Sequence, residues 1–234
     1  IASIRAAIDR ARLLIAIDHE GGLVCRTPAP ITRFASAREC EPYASNVGRA
    51  MGRELASLGI NINFAPVLDV NSNPTNPVIG NRAFGMCAAR VSEAGIAFMH
   101  AMELEGVIAC GKHFPGHGDT KSDPHIELPI LDTSIDQLRA RELLPFKALI
   151  DAGIGMLMTS HILFRKMDSA FPATLSQIVS GLLREELGFS GTVISDDVGM
   201  RAMDSFFADP VAPARFLGAG NDLLMICSHW TDTR

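Results

Sequence analysis

Six short apolar runs, spread along the whole chain and separated by segments of helical periodicity, constrain the fold more than any other feature of this sequence. They are LLIAI (13–17), INFAPV (62–67), GVIAC (106–110), IGMLMT (154–159), GTVIS (191–195) and DLLMIC (222–227). Each has the length of a buried strand. The intervening pattern predicts helices over 45–58, starting at Ser45, and over 88–105, where apolar positions pair with Glu93, Glu103 and Glu105. Two more are expected over 134–151, opened by the capping box Ser134-x-x-Gln137, and over 175–187, stopped at Gly188. Alternating strands and helices imply a parallel sheet covered on both faces.

Such a sheet is either open and doubly wound or closed into a barrel, and the polar residues discriminate. Asp18, Asp69, Lys112 with His113, Ser160 with His161, and Asp196 with Asp197 each fall just past the C-terminal end of a different predicted strand. Five clusters converge on one point only if their strands are arranged around it, whereas an open sheet uses mainly the strands at its switch point. The expected fold is therefore α/β, a (β/α)8 TIM-type barrel. Only six strands are found where eight close the barrel, and 234 residues fall short of the about 250 usual for it. The chain opens inside a helical pattern, IASIRAAIDRAR, and ends with SHWTDTR soon after a strand. The barrel is thus expected to be incomplete at the N-terminus, with a closing helix beyond the C-terminus. No repeat or linker marks a second domain, so residues 1–234 read as one.

Charge and composition narrow the partners. A net charge of −5 and the lack of any Lys/Arg run argue against nucleic acid and anionic membrane surfaces. No apolar stretch reaches the about 18 to 20 residues that a membrane helix needs. Five cysteines, Cys25, Cys40, Cys87, Cys110 and Cys227, form no CxxC and read as reduced thiols of the cytoplasm.

The segment GKHFPGHGDTKSDPHIELP (111–129) holds three of the seven histidines. It is longer than an ordinary βα connection, and loops of that length are usually functional. A metal site is one reading of its His and Asp residues, but neither HExxH nor a His-x-Glu followed by PCxxC is present. DVNSNPTNP from Asp69 imitates the start of a calcium loop, yet Pro74 stands where the turn glycine belongs and Gly80 where the bidentate glutamate belongs. No metal and no organic cofactor is expected.

AIDHEGG (16–22), NFAPVLDVNSNPTNPVIGNRAFG (63–85), GKHFPGHGDTKSDPHIELP (111–129), SGLLREELGFSGTVISDDVGM (180–200) and GAGNDLLMI (218–226) together resemble, in order, the β-N-acetylhexosaminidases of glycoside hydrolase family 3. The resemblance covers nearly the whole chain. It implies a (β/α)8-type barrel that removes terminal N-acetylglucosamine with retention, in bacteria commonly during peptidoglycan recycling.

Retention requires a nucleophile and a second group that serves first as acid and then as base. The resemblance assigns the nucleophile to Asp196. If Thr192 and Ile194 face the barrel interior, strand alternation turns Asp196 inward and Asp197 toward the helices, where it would cap the next helix; the opposite phase stays open. The resemblance gives the acid/base role to His125, with Asp123 as its partner. An imidazole titrates near neutrality, and a neighbouring carboxylate orients it and favours its charged form. Pro124 stands where relatives carry a small polar residue, which restricts both itself and Asp123.

For substrate holding the resemblance maps onto Asp18, Arg26, Arg82, Lys112 and His113. Leu23 replaces the arginine usual after the two glycines of EGG. Structural roles are the expectation for His19, His100 and His229, and Cys110 reads as a small buried hydrophobe. For His161 a pocket-lining and a structural role stay open.

The expected activity is removal of terminal β-linked N-acetylglucosamine from a small-molecule or oligosaccharide substrate. Rivals are a family 3 β-glucosidase or xylosidase, a phosphorylase exploiting an uncharged donor, a metal-dependent hydrolase, and a catalytically inactive sugar-binding protein.

Overall fold

The computed structural model describes residues 13–208 and 211–227. The helical pattern at 1–12, His229 and the terminal SHWTDTR lie outside the described residues.

Six parallel strands form one sheet: β1 (Ala16–Ile17), β2 (Ile62–Asn63), β3 (Ile108–Phe114), β5 (Met156–Thr159), β7 (Thr192–Asp197) and β8 (Leu223–Met225). They pair in simple chain order, β1-β2-β3-β5-β7-β8, with no reversal point. Every strand falls on one of the six apolar runs. β3 extends further than its apolar run, because Lys112 and His113 continue it. A separate parallel pair, β4 (Ile130–Leu131) with β6 (Leu163–Phe164), was not legible in the sequence, since two residues carry no periodicity. It ties down the far end of the long 111–129 loop, where the Leu163 amide donates to the Pro129 carbonyl at 2.9 Å.

Alternation divides the sheet into two faces. Ile62 and Phe64, Cys110, Met156 and Met158, and Ile194 form one apolar cluster, with Met225 against it. The intervening Ala109, Leu157 and Val193 join the larger core beneath the helices. The first cluster lies on a concave face. The sheet order puts β2 between β1 and β3, yet Lys112 Nζ from β3 meets Asp18 Oδ1, just past β1, at 2.5 Å, so side chains at these strand ends converge on that face. The described residues thus make a curled parallel half-barrel in an α/β fold.

Helices α1 (Ala44–Ser57) and α2 (Ala88–Glu103) cover one stretch of the outer face. They cross closely because Gly48 and Gly52 leave room. A Cβ on Gly48 would stand 2.4 Å from the Phe98 carbonyl oxygen, and one on Gly52 3.0 Å from that of Met102. The expected single helix at 134–151 is two, α3 (Ile135–Ala140) and α4 (Leu143–Asp151). Pro145 explains the break, since it offers no N–H to an acceptor one turn back and is tolerated only in a first turn. The Ser134/Gln137 capping box is formed, with the Gln137 amide donating to Ser134 Oγ at 3.3 Å and the Ser134 amide to Gln137 Oε1 at 2.8 Å. α5 (Gln177–Gly181) runs on through a π-turn, Leu182–Glu186, and ends before Gly188, whose φ of 73° stops it.

Candidate active site

The site gathers where β1, β2, β3 and β7 end. Lys112 and His113 are consecutive, so strict alternation would send them to opposite faces. The β3–β5 register shifts between Gly111 and Phe114, and such an irregularity re-aims side chains. Lys112 is buried, with Nζ donating at 2.5 Å to both Asp18 Oδ1 and Glu20 Oε1. Burial alone would lower its pKa, but Glu20 and Asp18 outweigh it and hold the ammonium charged. Glu20 also takes a two-pronged pair from Arg82, Nε to Oε2 at 2.8 Å and Nη2 to Oε1 at 2.7 Å. Burial would raise the Glu20 carboxyl; Lys112 and Arg82 bring it down to about 2. Lys112 and Arg82 therefore belong to a buried trio around Glu20, while the Asp18 side chain remains 38% exposed.

A second cluster hangs on Asp69, which is buried past the end of β2. Its Oδ2 accepts from His113 Nδ1 at 2.7 Å, and its Oδ1 accepts the amides of His113 at 3.3 Å and His117 at 2.6 Å. Burial opposes its charge, but His113 and His117 prevail and its pKa is lowered. An ionised carboxylate only accepts, so His113 carries its proton on Nδ1 and turns Nε2 toward Arg82 Nη2, 3.5 Å away. Burial pushes His117 down to about 4. Its Nδ1 meets Thr120 Oγ1 at 2.8 Å.

Asp196 follows Ile194 of the concave cluster on β7, in a stretch where the β7–β8 register shifts, so alternation alone does not fix its face. The residue is buried, and its Oδ1 accepts the Asp197 amide at 2.8 Å. Burial opposes ionisation, yet His113 and His161 pull the pKa below the ordinary carboxylate value. Asp197 Oδ1 accepts the amides of Gly199 and Cys227, both at 3.0 Å, stitching β7 to β8. His161 is buried against Thr174 Oγ1 at 2.8 Å and the Asp197 carbonyl at 3.1 Å, and burial lowers its pKa.

Asp123 and His125 lie on the outer loop, and His125 is 63% exposed. Asp123 Oδ1 accepts both the His125 amide at 2.9 Å and its Nδ1 at 2.8 Å. The two side chains therefore meet with Pro124 between them. Arg26 is exposed and has neither hydrogen bond nor ion pair among the described residues. Leu23 is 92% exposed. Cys110 is fully buried, and burial raises its thiol far out of the reactive range. His19 is buried edge-on to Phe34, with neither ring nitrogen bonded among the described residues.

Sequence reading did not single out Glu20 and gave Asp69 no role. No local pattern marks either residue; the one indirect signal is that buried cations require a buried anion. Among the described residues, no group of three or more His, Cys, Asp or Glu side chains is arranged to hold a metal ion.

A curled parallel sheet with ionised carboxylates and cations gathered at its C-terminal strand ends is the scaffold of a barrel-type enzyme domain. The model of the glycosyl hydrolase family 3 N-terminal domain matches residues 1–233, and the chain belongs to that family. It is similar to beta-hexosaminidase A of Pseudoalteromonas piscicida, 41% identical over 92% of this chain and 40% of the relative. Against the beta-hexosaminidase of Methylococcus capsulatus it is 39% identical, covering 94% of this chain and 68% of the relative. The chain thus spans between two fifths and about two thirds of the length of these curated relatives. A solved family 3 beta-N-acetylglucosaminidase from Paenibacillus superposes with a TM-score of 0.89 at 40% identity, over 96% of this chain and 44% of that one. NagZ from Neisseria gonorrhoeae, in complex with N-trifluoroacetyl-D-glucosamine, superposes at 0.86 and 33% identity, over 97% of this chain and 68% of that one.

Proposed function

We propose that this chain is the catalytic barrel domain of a retaining β-N-acetylglucosaminidase, with its six strands forming part of a (β/α)8 barrel. The relatives named beta-hexosaminidase and the N-trifluoroacetyl-D-glucosamine complex support that substrate class. The observation that carries the reading is Asp196, buried on β7 and kept anionic beside His113, His161 and Lys112.

The Asp196 carboxylate attacks the anomeric carbon as the bond from that carbon to the aglycone oxygen breaks. His125, oriented by Asp123, gives its proton to the departing oxygen. Water then attacks the glycosyl ester, passes a proton to His125, and releases the sugar and the Asp196 carboxylate. Asp18, partly open to solvent, accepts hydrogen bonds from sugar hydroxyls, Arg26, Arg82 and Lys112 donate to sugar oxygens, and His113 Nε2 accepts from a sugar hydroxyl. No step calls on a metal or organic cofactor. Terminal β-linked N-acetylglucosamine on oligosaccharides, including peptidoglycan fragments, is the substrate. The free cysteines fit a reducing cytoplasm.

Asp196→Ala should cut turnover of an aryl N-acetylglucosaminide below about a thousandth of the parent's, the scale of losing a nucleophile. Near-native turnover by that variant, or faster cleavage of the aryl glucoside than of the N-acetylglucosaminide by the parent, would overturn the reading.

A further inference from the structure

Between Lys121 and Leu128 the dyad loop buries a single residue, Pro124, while His125, Ile126 and Glu127 on one side and Lys121 on the other are exposed. Two sets of contacts meet at this proline. Asp123 behaves as a helix N-cap. Its Oδ1 takes the His125 amide, and its carbonyl takes the amides of Ile126 at 2.9 Å and Glu127 at 3.0 Å. Pro124 is then the first residue of that turn, where a fixed φ near −65° is pre-organised and the missing N–H costs nothing. The second contact runs outward, from the Ala202 amide to the Pro124 carbonyl at 3.1 Å. Ala202 is buried in the 3-10 turn Arg201–Met203, a few residues beyond Asp196.

We propose that Pro124 is a positioning residue that pre-sets the Asp123–His125 pair and fastens it to the backbone just past the nucleophile strand. The inference rests on the proposed glycosidase reading. With any residue other than proline at this place, the turn would have a free φ to lose each time the dyad formed. Here the chain has lost that freedom in advance, and an otherwise exposed tip stays docked against the turn that follows β7.

The reaction separates this role from a merely structural one. A poor leaving group needs its oxygen protonated as the bond breaks, whereas 2,4-dinitrophenolate leaves without help. The test compares kcat/KM of the parent and Pro124→Gly on phenyl and 2,4-dinitrophenyl N-acetylglucosaminides, together with hydrogen exchange at the Ala202 amide. The phenyl value should fall about ten-fold more than the dinitrophenyl value, part of the 10²–10⁴ that acid catalysis supplies. Ala202 exchange should quicken, and Pro124→Ser should behave alike. Equal losses on both substrates, or unchanged Ala202 exchange, would overturn the proposal. A parent that cleaves neither substrate, or an active Asp196→Ala variant, would instead sink the glycosidase reading on which it rests.

Discussion

Glu20 Oε1 and Lys112 Nζ meet at 2.5 Å with side chains only 3% and 2% exposed, so the candidate site is built on a carboxylate and an ammonium removed from water together. Arg82 completes the set by donating to both carboxylate oxygens. Taking one partner from such a pair leaves its counter-charge buried and uncompensated.

Glu20→Gln should therefore destabilise the fold by about 3 to 5 kcal/mol, the usual penalty for breaking a buried ion pair. Urea unfolding monitored by circular dichroism checks it. A midpoint like the parent's would mean that Lys112 and Arg82 find other partners.

Acid should act on this protein in two separable windows. His117 falls from 6.5 to about 4 on folding, so the folded state resists a proton that the unfolded chain accepts, and stability declines as pH drops from 6.5 toward 4. Glu20 falls from 4.5 to about 2, so its contribution is complete above 4.5 and fades as pH drops toward 2. Each window corresponds to about 3 kcal/mol at 1.36 kcal/mol per unit. Chemical denaturation across pH should show His117→Asn flattening the upper window and Glu20→Gln the lower; a parent curve level from pH 7 to 4 would refute the first.

Gly48→Ala places a methyl 2.4 Å from the Phe98 carbonyl oxygen, which only separation of α1 from α2 relieves. The expected loss is about 1 to 3 kcal/mol, typical of overpacking, read as a lowered Tm. A Tm equal to the parent's would show that the two helices part freely.

Arg26→Ala should leave stability within about 0.5 kcal/mol, because the side chain is exposed and makes no bond among the described residues. If Arg26 holds the sugar, kcat/KM for an aryl N-acetylglucosaminide should fall several-fold in the same variant. Unchanged kcat/KM would remove Arg26 from the substrate set.

The sequence was most informative where one physical signal dominates. GTVIS and IGMLMT read as buried strands because apolar residues on both faces leave no other home, and both are strands. The aim of Asp196 was readable only up to a choice of phase, because alternation along β7 is interrupted by a register shift between Ile194 and Asp197 that no local pattern announces. Long-range charge balance was the least legible. Nothing local to Glu20 says that Arg82 and Lys112 will close on it, because the match exists only once three strand ends meet. The break before Pro145 was visible in the sequence but was overridden by a helical periodicity that runs through it.

The Glu20–Arg82–Lys112 trio also sets a timetable for the nascent chain. Its members arrive one at a time from three successive strand–loop units, and the carboxylate cannot leave water until the last cation has emerged. Charge-compensated burial of the carboxylate therefore requires β1, the loop after β2, and β3 to be in place together, which couples the consolidation of these three units.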